Sequence, residues 1–136
     1  MSSLSPLVAT LHVAIGGGLG AALRYQTGRA MTQWLGAPII SAFPFATLAV
    51  NAVGSLLMGV LAGWLARHGS ESSEQLRLLL GVGLLGGFTT FSAFSLEMVL
   101  MIERGQFLFA SLYAVLSFAL GISGLMVGLA IMRIAG

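Results

Sequence analysis

Gly86-Gly87-Phe88-Thr89-Thr90-Phe91-Ser92-Ala93-Phe94-Ser95 sets hydroxyl groups and aromatic rings in the middle of a long, almost uncharged segment. Two adjacent glycines followed by two β-branched threonines weaken a helix at one place, through backbone entropy and restricted χ1 freedom. Backbone polar groups are expected to be freed there. In a bilayer such groups persist only where they are buried in protein or line a polar cavity, so a break at this depth points to an ion site or a pathway. A hinge that binds nothing is the other reading of the glycines taken alone.

Composition places the stretch in a membrane. The 136 residues are 57% hydrophobic and 7% charged, and the mean hydropathy is +1.00, which describes a small integral membrane protein with one domain, residues 1–136. Without cysteine there is neither a disulfide framework nor a thiolate metal site. The isoelectric point near 10.0 rests on six arginines against four glutamates scattered singly, which is no nucleic-acid patch. No nucleophile–base pair, metal cluster or cofactor motif supports an enzyme. The first apolar segment lacks a charged leader and three more follow, so it reads as a retained span and not a signal peptide.

Working outward, the pattern predicts an all-α membrane protein with four transmembrane helices, approximately residues 4–24, 46–66, 78–101 and 107–132, and a break in the third. The connection from Arg29 to Phe45, with Pro38 and Pro44, reads as a loop with an interfacial turn near Trp34, and His68 to Glu74 as a polar loop. Trp34 and Trp64 read as interfacial anchors, and His12 as a hydrogen-bonded packing residue. Gly16-Gly17-Gly18-Leu19-Gly20-Ala21 formally fits a dinucleotide-binding pattern, but no strand precedes it. Gly16 and Gly20, Ser55, Gly59 and Gly63, and Gly124 and Gly128 are instead spaced for close helix packing.

Four short spans enclose little volume, so a pathway is expected at a subunit interface. Thr47, Asn51 and Ser55 form one polar stripe on the second span, and Tyr113 and Ser117 share a face of the fourth. With Thr90, Ser92 and Ser95 they are neutral donors able to serve an anion without trapping it. Phe91 and Phe94 could present their electropositive ring edges to a small anion, with plain packing as the alternative. Arg24, with less weight Arg29, reads as a vestibule cation or a snorkelling anchor, and Glu97 as part of the track or a helix-end carboxylate. An N-terminus placed inside leaves Arg67, Arg77 and Arg133 on one side and Arg24, Arg29 and Arg104 on the other. That balance leaves both orientations open, and with them a pair of oppositely inserted copies.

Gly16-Gly17-x-x-Gly20-Ala21-x-x-Arg24-Tyr25, Thr47-Leu48-x-Val50-Asn51-x-x-Gly54 and the opening decapeptide together resemble the Fluc (CrcB) family of fluoride channels, over nearly the whole chain. The resemblance implies an antiparallel dual-topology homodimer in the inner (plasma) membrane, passing fluoride out of the cell through two pores. It further implies fluoride contacts from Phe91 and Phe94, a donor in Asn51, and a polar track of Thr47, Thr90, Ser92, Ser95, Glu97, Tyr113 and Ser117. A structural, untransported sodium ion would be held by the backbone carbonyls of Gly86 and Thr89. Ala46, Ala93 and Gly121 depart from the family's usual glycine, threonine and serine. The competing readings are a proton-coupled transporter of the small multidrug-resistance type, which needs a membrane-embedded carboxylate absent from spans one, two and four, and a non-conducting assembly protein.

Overall fold

The computed structural model describes residues 4–136, all helical or in short connections, with no strand among them. Four helices are long and apolar enough to cross a membrane: Pro6–Leu35, Phe45–Arg67, Ser72–Glu103 and Phe107–Ile134. The chain is thus a multi-pass membrane protein. Exposed leucine, isoleucine, valine and phenylalanine side chains cover its outer faces, as suits a surface solvated by lipid.

α1 (Pro6–Leu35) starts on Ser5, whose Oγ accepts from the Val8 N–H at 3.3 Å, with proline at the first helical position. It continues eleven residues beyond the span predicted to end at 24, because Arg24 to Leu35 holds no proline and its one glycine, Gly28, is tolerated inside the helix. Gly36, at φ 92°, ends it. The expected loop from Arg29 to Phe45 is therefore mostly helix: the end of α1, then α2 (Ala37–Ala42), which begins with Pro38 in its first turn. The hydropathy drop at Arg24 marks a change of chemistry and not the end of a helix.

α3 (Phe45–Arg67) is the central span. The predicted polar loop after it is also shorter than expected, since Ser70 and Ser73 form a reciprocal capping box that starts α4 (Glu71–Leu76). From there the helix widens into a π-helical segment, Arg77–Leu85, with the Gly86 N–H reaching the Gly81 carbonyl five residues back. α5 (Gly86–Phe88) closes this half. α6 (Phe91–Glu103) resumes beyond the break, and α7 (Phe107–Ile134) follows. Between them Gly105, at φ 73°, completes a Schellman turn: its N–H donates to Ile102 O at 3.0 Å and that of Gln106 to Met101 O at 2.9 Å.

Lipid supplies no hydrophobic drive between helices, so close packing must hold them, and glycine provides it. A Cβ at Gly16 or Gly20 would strike the Leu79 or Leu84 carbonyl, and one at Gly87 the Gly17 carbonyl, so α1 and the π-helical half touch backbone to backbone. Gly59 against Leu125 and Gly128 against Leu56 form the same kind of seam between α3 and α7. By contrast, Gly18 has nothing within 4 Å of its Cβ position. Gly20→Ala is expected to destabilise the detergent-solubilised protein by about 1–3 kcal/mol, the usual range for overpacking, while Gly18→Ala leaves it unchanged; thermal midpoints by scanning fluorimetry compare the two.

Candidate functional site

The break falls on the threonines, while both glycines before them stay helical. Thr89 (φ −84°, ψ 159°) and Thr90 (φ −154°, ψ 119°) are extended. β-Branched residues suit that backbone, and each hydroxyl replaces a lost helical partner. Thr89 N–H and Oγ1 both donate to Leu85 O, at 3.0 and 2.9 Å. Thr90 Oγ1 caps α6 by accepting from the Ala93 N–H at 3.2 Å.

Asn51, from the middle of α3, pins the break. Its Oδ1 accepts from the Thr90 N–H at 2.7 Å and its Nδ2 donates to Thr90 O at 3.0 Å. Gly54, one turn further along α3, is buried because a Cβ there would strike the Thr89 methyl group. Arg24 reaches the break from α1, its Nε donating to Gly87 O at 3.1 Å. Among the described residues no hydrogen bond ends on the Gly86 or Thr89 carbonyl.

Beyond the break, Phe91 and Phe94 lie 5.7 Å apart between ring centroids, in opposite environments. Phe91 is 73% exposed on the outer face, whereas Phe94 is buried among Tyr113, 5.0 Å away, and Phe118, 6.2 Å away. A second polar cluster follows. Thr47 Oγ1 and Tyr113 Oη each donate to Glu97 at 2.6 Å, one to each carboxylate oxygen. Glu97 lies inside α6 with six helical residues after it, so of its two sequence readings the helix-end carboxylate is set aside.

The remaining hydroxyls divide. Ser92 Oγ lies 3.3 Å from Thr90 Oγ1, but Ser95 Oγ is taken up by Phe91 O at 3.0 Å. Ser117 Oγ is buried with no partner. It sits one turn along α7 from Tyr113, in a cleft of about 340 Å³ shared with Ser55, Phe118 and Gly121. Asn51, Ser55, Thr90 and Phe91 line an adjoining cleft of about 270 Å³. A larger one, about 530 Å³, holds Arg24, Arg29, Thr47 and Thr90. Hydroxyl spacing on each helix gave no sign of the Thr47–Glu97–Tyr113 contact, because it joins three helices, α3, α6 and α7.

Residues 11–129 match the family model described as "CrcB-like protein, Camphor Resistance (CrcB)". A protein of Erythrobacter litoralis named fluoride-specific ion channel FluC is 63% identical over 134 residues, 98% of each chain. One of the same name from Novosphingobium aromaticivorans is 58% identical over 127 residues, covering 93% of this chain and 98% of the relative. A third, from Rhodospirillum centenum, is 51% identical over 125 residues, 92% of this chain and 95% of the relative.

Replacing Asn51 with Ala strands the Thr90 N–H and C=O together. An orphaned buried group costs about 1–3 kcal/mol, so Asn51→Ala is expected to lower the thermal midpoint in detergent; a midpoint equal to that of the parent would show that the break holds without this contact.

Proposed function

The chain belongs to the CrcB-like family, and on that premise we propose how it works as a fluoride-specific ion channel, letting cytoplasmic fluoride leave passively and so limiting its toxicity. Identity to channels of that name along almost the entire chain carries the assignment. It displaces the proton-coupled transporter, for which Glu97 would have been the exchanging group.

The anion passes over neutral donors. Asn51 spends one amide hydrogen on Thr90 O and keeps the second for fluoride. Phe91 and Phe94 offer ring edges, which carry the positive part of the aromatic quadrupole. Thr47, Thr90, Ser92, Ser95, Tyr113 and Ser117 provide the hydroxyl track, supported above all by the partnerless Ser117 Oγ. A small, strongly hydrated anion needs such donors to replace its water. Arg24 lines the wide cleft beside Thr47 and Thr90 and draws anions in.

Each copy contributes half of the assembly. The exposed Phe91 needs an opposing wall, and the three-to-three arginine balance permits the partner to be an antiparallel second copy in the inner membrane. At the centre of that dimer the carbonyls of Gly86 and Thr89 would hold a sodium ion that is not transported. The donor set fits: neither oxygen accepts a hydrogen bond among the described residues, and Gly86 lies exposed on the surface of one copy. Carbonyl oxygens are suitable ligands for a hard cation, which when bound would supply a fixed positive charge beside the break.

Fluoride efflux from liposomes, followed with a fluoride electrode beside a chloride control, tests the assignment: rapid fluoride loss without chloride loss is expected. Phe91→Ile and Asn51→Asp should each slow it about tenfold or more, the equivalent of one lost contact of about 1.4 kcal/mol, while the dimer stays assembled. Unimpaired efflux in both variants would overturn the assigned pore. Thr89→Ala should preserve any stabilisation of the protein by sodium over an organic cation, because the ligand is a carbonyl; loss of that effect would instead implicate the hydroxyl.

A further inference from the structure

A separate cleft of about 190 Å³ opens between α2 and the α6–α7 turn, and its walls include Ser41, Thr47, Glu97, Arg104 and Gln106. Its inner end is the Thr47–Glu97 contact, and Thr47 also borders the wider cleft that holds Arg24 and Arg29. Thr47 therefore borders two clefts, one with Arg24 and Arg29 and the other with Arg104.

Arg104 is unspent. It is exposed, and the only ion pair among the described residues joins Glu74 to Arg77. No hydrogen bond from its guanidinium is found among them either, and its neighbour Glu103 is exposed and unpaired. Glu97, the carboxylate that lines the cleft, has each oxygen taken by a hydroxyl, from Thr47 and Tyr113. The turn that carries Arg104 is fixed: its N–H donates to Leu100 O at 3.1 Å, and the Schellman bonds of Gly105 and Gln106 lock the next two residues.

A mobile anion that approaches the Thr47 and Tyr113 hydroxyls must come close to the Glu97 carboxylate, which repels it. A cation at the rim, uncommitted to any carboxylate, offsets that repulsion along the approach. Resting on the fluoride-channel reading, we infer that this cleft is a mouth of the fluoride pathway and that Arg104 is the residue concentrating the anion at it. Gln106 adds a carboxamide at the same rim, able to donate to a partly dehydrated ion. Arg104 acts through the field it sets up and not by holding the ion, so its effect is screened by salt.

The test is fluoride efflux from liposomes carrying Arg104→Glu, Arg104→Gln and Arg104→Lys, with Arg133→Gln as the control at the far end of α7. Each is measured at about 0.01 M and about 1 M ionic strength set with an impermeant organic salt, conditions that move the screening length from roughly 30 Å to roughly 3 Å. Arg104→Glu is expected to slow efflux about threefold or more at low ionic strength, with Arg104→Gln intermediate, Arg104→Lys near the parent, and the differences collapsing at high salt. Variants that match the parent at low salt overturn the inference and mark Arg104 as a lipid-facing anchor, while the channel assignment stands. A loss that persists unchanged at high salt also overturns it, since that reports a structural defect. A parent that releases no fluoride overturns the assignment, and this inference with it.

Discussion

Everything in this molecule follows from having to satisfy two residues of extended backbone inside a membrane. Thr89 and Thr90 interrupt the third span, and lipid offers their amides and carbonyls nothing. Two helices and the break's own hydroxyl answer. α3 brings Asn51 to both polar groups of Thr90, α1 brings Arg24 to Gly87 O, and the Thr89 hydroxyl doubles the last bond of the first half. The break is thus a built feature, over-determined from outside its own helix, and the carbonyls left over are available to something else.

The glycine seams make those answers possible. Asn51 has a short side chain, so it can reach the break only if α3 lies against it, and the Gly54–Thr89 contact provides that approach. Arg24 likewise depends on α1 riding on the π-helical half through Gly16, Gly20 and Gly87. In lipid, where association rests on packing and interhelical hydrogen bonds, these small residues set the positions and the polar bonds set the register. Widening the helix over Arg77–Leu85 belongs to the same economy, since it brings Gly83 and Gly87 onto the α1 face and relaxes the ladder just before it ends.

Much of this was legible from residue order. Span number, the glycine stripes and the break at 86–90 were readable because hydrophobic length, small-residue spacing and β-branched pairs are local properties. Helix ends were less so. Hydropathy drops at Arg24, but arginine, alanine, methionine and glutamine keep a helix going, and only the positive-φ Gly36 stops it. The same confusion of polarity with irregularity put 71–74 into the expected loop from His68 to Glu74, although Ser70 and Ser73 carry a capping signal. At the site, Asn51 was singled out as an anion donor, and its two bonds to Thr90 add a long-range contact that no spacing rule contains. The helix-end alternative for Glu97 arose because the apolar run thins near it, and its donors come from helices fifty and sixteen residues away in sequence.

That cluster bears on how an anion path tolerates a carboxylate at all. A bare glutamate inside a bilayer would be costly and would block a negative ion. Here Thr47 and Tyr113 each donate to it, while the aromatic packing of Tyr113 against Phe43 and Phe94 holds the phenol in place. On the pathway proposed for this chain the two hydroxyls would stay usable, because an oxygen that donates to Glu97 could turn that donation to a passing ion and recover it afterwards. Glu97 would then act as a reservoir of hydrogen bonds, released to the anion one at a time, so that at this point of the path the cost of dehydrating fluoride is met by donors that keep an acceptor before and after the ion passes.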